Sequence, residues 1–160
     1  MAYTMKTEGM DQISEMLEKL EDRAPGIAAR GLYDGAGVMM DAISRSAAGI
    51  RTAPFKWAGT DETRLPSPEE KEIVEKAAAG IAKFNREGTE VDTSVGYQNA
   101  GYAELKGKTV PIPKVVNAIN SGTSFMKKQP FIRKAAAGAT QKAMDAIKSR
   151  IEKDLDEIIK

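Results

Sequence analysis

The chain has 160 residues, 41% of them apolar, and its 24 basic and 23 acidic side chains leave a net charge of +1. That length suits one domain, residues 1–160, around one hydrophobic core, and the charge balance excludes a global field that would draw in nucleic acid or a membrane. With no cysteine and no histidine, the chain has no disulfides, no thiolate catalysis, no Cys-based zinc site and neither the commonest metal ligand nor the commonest general base. No apolar run approaches the roughly 20 residues of a bilayer span. The opening MAYTMKTEGM lacks the basic-then-apolar order of a signal peptide, so a cytoplasm-like compartment is expected.

Residues 2–8 (AYTMKTE) alternate well enough for a short strand, with Tyr3, Met5 and Thr7 on one side. Asp11 is placed to cap a helix whose Ile13, Met16, Leu17 and Leu20 form one apolar stripe. Pro25 and Gly26 interrupt that helix. Proline is tolerated in a first helical turn, so a second segment is expected from there to about Ile50, striped by Ile27, Leu32, Met39, Ile43 and Ile50. Ala28, Ala29, Gly31, Gly35, Ala36 and Gly37 make this segment thin, which lets another backbone approach closely; core packing and a subunit contact both fit. Residues 51–66 carry the single tryptophan, Trp57, among Pro, Gly, Thr and Asp without a period, and read as an exposed loop.

Ser67-Pro68-Glu69-Glu70 carries a strong start signal: Ser67 as N-cap, Pro68 at the first helical position and Glu70 closing a capping box. A helix over 67–85 follows, with Ile73, Val74, Ala77, Ile81 and Phe84 facing inward and NREG (85–88) ending it. Glu69 and Glu70 suit the positive end of the helix dipole better than a catalytic role. Residues 89–97 alternate Val91, Thr93 and Val95 against Glu90, Asp92 and Ser94, a half-buried strand. Short strands are expected at 102–105 and 109–112. Pro111 and Pro113 exclude a central strand and favour a short helix over 114–120. From Phe131 to Ile159, Ala136, Ala139, Ala143, Met144, Ile147, Ile151, Leu155 and Ile158 recur at spacings of three and four, the longest helix candidate. The class is α+β: a small antiparallel sheet packed against a long N-terminal helix and a long C-terminal helix. No internal repeat is present.

The Gly-rich stretches 31–37 and 88–101 lack the Lys-Ser/Thr pair of a phosphate-binding loop, and no strong strand leads into GLYDGAG, so nucleotide binding is not indicated. Glu21 with Asp22, and Asp154 with Asp156 and Glu157, fall on expected exposed helix faces and read as solvated. Charge is nonetheless sorted along the chain. Residues 1–22 hold six acids against two lysines, whereas 106–142 hold Lys106, Lys108, Lys114, Lys127, Lys128, Arg133, Lys134 and Lys142 with no acid. Such a run can follow a phosphate backbone, face an acidic surface of another protein, or simply be solvated. Only Phe125 and Phe131 interleave with it, which weakens a single-strand-binding reading.

Gly122-Thr123, a short basic loop, then Gln129-Pro130-Phe131-Ile132-Arg133 and Ala135 leading into a long amphipathic helix resembles the closing signature of the neck or tail-completion proteins of long-tailed phages, a family that includes proteins similar to minor tail protein Z. The sharp motif spans about fifteen residues, and the order of elements follows the family over most of the chain. Two departures stand out. Asn120 and Ser121 replace the acid and aromatic that precede the family's Gly-Thr, and Thr63-Arg64-Leu65-Pro66-Ser67 echoes only loosely its Thr-Gly-x-Leu loop, followed by the helix over 67–85 as an apparent insertion. The resemblance implies a structural, non-enzymatic virion protein without cofactor or metal, located in the neck or tail of a phage, prophage or tail-like particle and assembled in the host bacterial cytoplasm. It implies a homo-oligomeric ring, with six copies one candidate, that meets tail tube, tail terminator or head connector proteins and acts in tail completion and head-tail joining. Gly122, Thr123, Pro130 and Phe131 would be its structural motif, and Lys127, Lys128, Arg133 and Lys134 the partner or oligomer contact. The alternative is a nucleic-acid-binding module using 106–142. The residues add their own support for the hinge: Pro130 fixes its own φ and biases Gln129 towards an extended conformation, which aims Phe131 inward.

Overall fold

The computed structural model describes residues 10–55, 62–88 and 90–160, with side chains from Ile13 onward. The expected strand over 2–8 and Trp57 lie outside the described residues. The chain is α+β: helix α1 (Met10–Ser46), a short 3-10 turn (Ala47–Gly49), α2 (Pro68–Ala77), strands β1 (Gly80–Glu87), β2 (Glu90–Gly96), β3 (Tyr102–Leu105) and β4 (Lys108–Pro111), α3 (Ile112–Ser121) and α4 (Phe131–Ile159). The strands form two separate antiparallel hairpins, β1 with β2 and β3 with β4.

Helix α1 passes through Pro25 without a break, so the expected interruption does not occur. Proline removes one backbone hydrogen bond, at a cost of about 3 kcal/mol inside a helix. On the far side of Pro25 the helix buries Ile27, Ala36 and Ile43, which offsets the lost bond so that the helix continues. Helix α4 spans the expected residues, although Met144 is exposed rather than part of the buried stripe.

Antiparallel packing of α1 on α4 forms a rod. The small residues of α1 are spent on this packing within the chain: a Cβ on Gly35 would fall 2.6 Å from Ile147 Cγ1, and one on Gly31 3.2 Å from Ile151 Cγ1. Gly37 faces open space. Ion pairs flank the seam, where buried Asp154 accepts from Arg30 Nε at 2.7 Å and lies 3.4 Å from Arg150 Nε, and Asp34 lies 3.7 Å from Arg150 Nη1.

The buried core gathers at one end of the rod. Ile43, Ala47 and Ile50 from the end of α1 and its 3-10 turn, Val74 of α2, Tyr97, the α3 residues Ile112, Val115, Val116 and Ile119, Met126 and Phe131 make one buried cluster. Tyr97 and Phe131 meet edge to face, with ring centroids 6.3 Å apart.

The helix expected over 67–85 is corrected to two elements. The capping box forms as expected, with the Ser67 hydroxyl accepting from the Glu70 N–H and the Glu70 carboxylate accepting from the Ser67 N–H. The helix stops at Ala77, Ala78 takes φ +54°, and Gly80 begins a strand. Ile81 and Phe84 therefore lie in β1 rather than on a helix face, and Phe84 is exposed. NREG is the end of that strand and its turn, where Gly88 adopts φ +58°. Pairing with β2, from Gly80 opposite Gly96 to Glu87 opposite Glu90, outweighs the local helical spacing.

Candidate interaction surface at the basic hinge

Residues 121–135 connect α3 to α4 beside the end of α1. Gly122 has φ +78°, and an added Cβ would lie 3.0 Å from Lys128 Cβ and 3.1 Å from Lys128 N, so the position demands glycine for both backbone and space. Thr123 closes the loop. Its hydroxyl oxygen accepts from the N–H groups of Phe125 (3.3 Å) and Met126 (3.0 Å), and its own N–H donates to the Met126 carbonyl at 3.0 Å. The Gly-Thr turn of the motif therefore has a local physical purpose.

The second half of the hinge is clamped to Arg51, just past the 3-10 turn that follows α1. The Gln129 side-chain amide donates to the Arg51 carbonyl and accepts from the Arg51 N–H, both at 2.9 Å, while the Gln129 N–H donates to the Ile119 carbonyl at 2.8 Å. Pro130 sits at φ −78°, ψ 64°, and the Phe131 N–H donates to the Gln129 carbonyl at 2.8 Å, an inverse γ-turn that swings the chain into α4. Phe131 is buried, as expected of an anchor. Asn120, which stands where the resemblance leads one to expect an acid or aromatic, accepts through Oδ1 from the Ile132 N–H in the first turn of α4.

The described residues of the loop over 51–66 are exposed only in part. Arg64 forms a parallel bridge with Met126: its N–H donates to the Phe125 carbonyl and its carbonyl accepts from the Lys127 N–H, each at 2.8 Å. The Arg64 guanidinium meets the Glu70 carboxylate through two 2.7 Å hydrogen bonds. Burial alone would raise the Glu70 carboxyl; Arg64 and the Ser67 N–H outweigh it and hold the group below the usual carboxylate range. One pair thus ties the hinge to the start of α2. Nothing in the sequence announced it, because a contact six residues apart across a loop has no period.

Against this fixed frame Lys127, Lys128, Arg133 and Lys134 are all exposed, and none forms an ion pair within the described residues. Arg133 and Lys134 occupy the first turn of α4, which holds no acid, so they stand where the helix dipole is already positive. The other cations are more dispersed. Lys106 lies over the Phe55 ring, 2.8 Å from its centroid, and so has a local partner. Lys114 borders a cavity of 610 Å³ whose lining includes Val110, Val115, Ala118, Phe125 and Met126. Phe125 is 63% exposed at its edge. A second groove of 410 Å³ lies across the hinge between Ile50, Pro130 and Phe131, with Arg51, Lys128 and Lys134 at its border.

The surface is therefore apolar recesses bordered by cations that form no ion pair among the described residues, on a backbone held by hydrogen bonds. Among the described residues no helix is long and apolar enough to cross a membrane. Comparison of the chain with protein-family models, with curated proteins and with solved structures finds no match.

Proposed function

We propose that this chain is a structural assembly protein of a long-tailed phage, prophage or tail-like particle, acting in tail completion and head-tail joining as a ring-forming neck component. The observation that carries the reading is the hinge. Gly122, Thr123, Pro130 and Phe131 each have a demonstrable role in holding it, and what they hold outward is a group of four cations that form no ion pair among the described residues. A core that needs these residues only for itself has no use for Lys127, Lys128, Arg133 and Lys134 beside them. Their counterpart would be an acidic surface on a neighbouring subunit or on a tail tube, tail terminator or connector protein. Location in the neck or tail of the particle follows from the same reading.

The test is electron microscopy of the purified protein alone and mixed with the connector and tail proteins encoded beside it. Rings seated at the tail end or the connector are expected. Particles that join equally well without the protein contradict the reading. Nucleic-acid binding through 106–142 predicts instead retention on DNA whose log-log salt slope steepens by about 0.9 per phosphate neutralised.

A further inference from the structure

The four exposed cations of the hinge do not all border the same recess. Lys128 and Lys134 line the 410 Å³ groove at the start of α4, whereas Lys127 and Arg133 do not. A third cation joins them there: Arg51, just past the 3-10 turn that follows α1 and far outside the basic run of 106–142. The three come from separate stretches of chain. Two 2.9 Å hydrogen bonds between the Gln129 side chain and the Arg51 backbone hold the first of these stretches against the hinge. No acid lines the groove, and none of the three cations forms an ion pair among the described residues. The rest of the lining includes Ile50, Pro130 and Ala135, an apolar floor. A cleft lined by one sign of charge over low-dielectric walls focuses its field, so gathering these cations costs free energy that an entering anion offsets.

The chemistry of the lining narrows what that anion is. A bare inorganic ion leaves the apolar floor uncovered. The aromatic residue of the lining, Phe131, is buried, so the groove offers no exposed ring for a nucleic-acid base to stack on. An acidic segment of a protein satisfies both halves: an apolar side chain covers the floor, and carboxylates beside it meet the cations, the planar Arg51 guanidinium being the one able to take a carboxylate through two parallel hydrogen bonds. Within this chain the exposed carboxylates near both ends are interleaved with cations, Glu18 and Glu21 with Lys19 and Arg23, Asp156 and Glu157 with Lys153 and Lys160, so the charge match points to another protein. We propose that this groove receives an acidic segment of a partner protein, an apolar side chain on Ile50 and Pro130 and its neighbouring carboxylates on Arg51, Lys128 and Lys134. The inference deepens the reading proposed above and rests on its premise that the partner at the hinge is acidic; it adds the place of contact and a residue, Arg51, outside the four cations.

The test is fluorescence anisotropy of labelled probes on the full chain and its variants, with circular dichroism to establish that each is folded. The main probe is the peptide GSDELLEDGS; GSDESSEDGS keeps its charge without the apolar pair, and an oligothymidylate stands for nucleic acid. Wild type is expected to bind GSDELLEDGS at low salt and to release it at 0.5 M NaCl, where the screening length is roughly 4 Å. Binding should weaken about tenfold or more for GSDESSEDGS, and by as much for GSDELLEDGS on R51Q/K128Q/K134Q. K19Q/K83Q/K153Q removes the same charge from exposed positions outside the groove and should bind within about twofold of wild type. No binding of GSDELLEDGS, equal binding of the two peptides, equal loss in the two triple variants, or tighter binding of the oligothymidylate would each overturn the proposal. So would self-association of wild type in sedimentation velocity that R51Q/K128Q/K134Q abolishes, since a second copy would then be the occupant. A greater loss through K127Q/R133Q than through K128Q/K134Q would overturn the groove and leave an acidic partner at the hinge. Failure here is thus separable from failure of the neck reading, which is decided by whether particles are completed.

Discussion

The hinge end of the rod and the start of α1 are built from the same kinds of residues, yet among the described residues only the hinge end closes into a buried cluster. At the hinge end, aliphatic and aromatic side chains from α1, α2, α3, α4 and the loops close on one another, and polar groups such as Glu70 and Gln129 find partners inside the chain. At the other end, among the described residues, Ile13 and Leu17 are exposed while Met16 and Leu20 of the same stripe are half-buried. The difference teaches that periodicity reports which face a helix will bury, and leaves open whether the cover comes from the same chain.

Breaking the finished end should cost most. Phe131→Ala empties a buried site against Tyr97 and is expected to remove about 3 to 5 kcal/mol, which at this chain length lowers the melting temperature by about 10 °C or more. A shift of only a few degrees would contradict the anchor. Glu70→Gln removes the charge that Arg64 and the Ser67 N–H hold, at a cost of about 3 kcal/mol, since it leaves a guanidinium half-buried without its counter-ion. Because the folded carboxyl lies below its unfolded value of about 4.3, its contribution is present above that pH and is lost as pH falls through the folded value. Urea titrations between pH 7 and 3 should therefore show a steeper acid loss in wild type than in Glu70→Gln.

The rod between the two ends offers a test of sign. Gly35→Val forces a side chain into Ile147 and should destabilise by about 2 kcal/mol, whereas Gly37→Ala meets open space in the same helix and should stabilise by about 0.5 to 1 kcal/mol. Equal signs would mean that the two helices do not approach as closely as described. Smallest is Leu17→Ala, expected to change monomer stability by no more than about 0.5 kcal/mol because the side chain is exposed there. A large loss in a verified monomer would show that the start of α1 packs on its own chain after all.

Local signals in the sequence located what local physics decides. The capping box at Ser67 and Glu70 and the proline before Phe131 mark where α2 and α4 begin, because caps and fixed φ act within a few residues. The end of α2 was not legible. Ile81 and Phe84 continue its spacing of three and four, and only pairing with Glu90–Gly96, a partner beyond the turn, makes them a strand. Pro25 misled in the other direction, since packing of α1 beyond it offsets a locally unfavourable residue. At the hinge the sequence identified the four cations and the turn residues. It could not show that Gln129 clamps Arg51 or that Arg64 ties the loop to α2, contacts whose partners lie 78 and 6 residues apart.

The most direct measurement is complementation of a phage or prophage lacking this protein by K127E/K128E/R133E/K134E. Exposed ion pairs are worth only about 0 to 1 kcal/mol each, so the reversal must be collective, and the exposed positions should leave folding intact by circular dichroism. The expected result is a folded protein with unchanged melting and no complete or infectious particles, while wild type restores them. A quadruple variant that folds and still yields complete particles would contradict the central claim that the hinge is the joining surface.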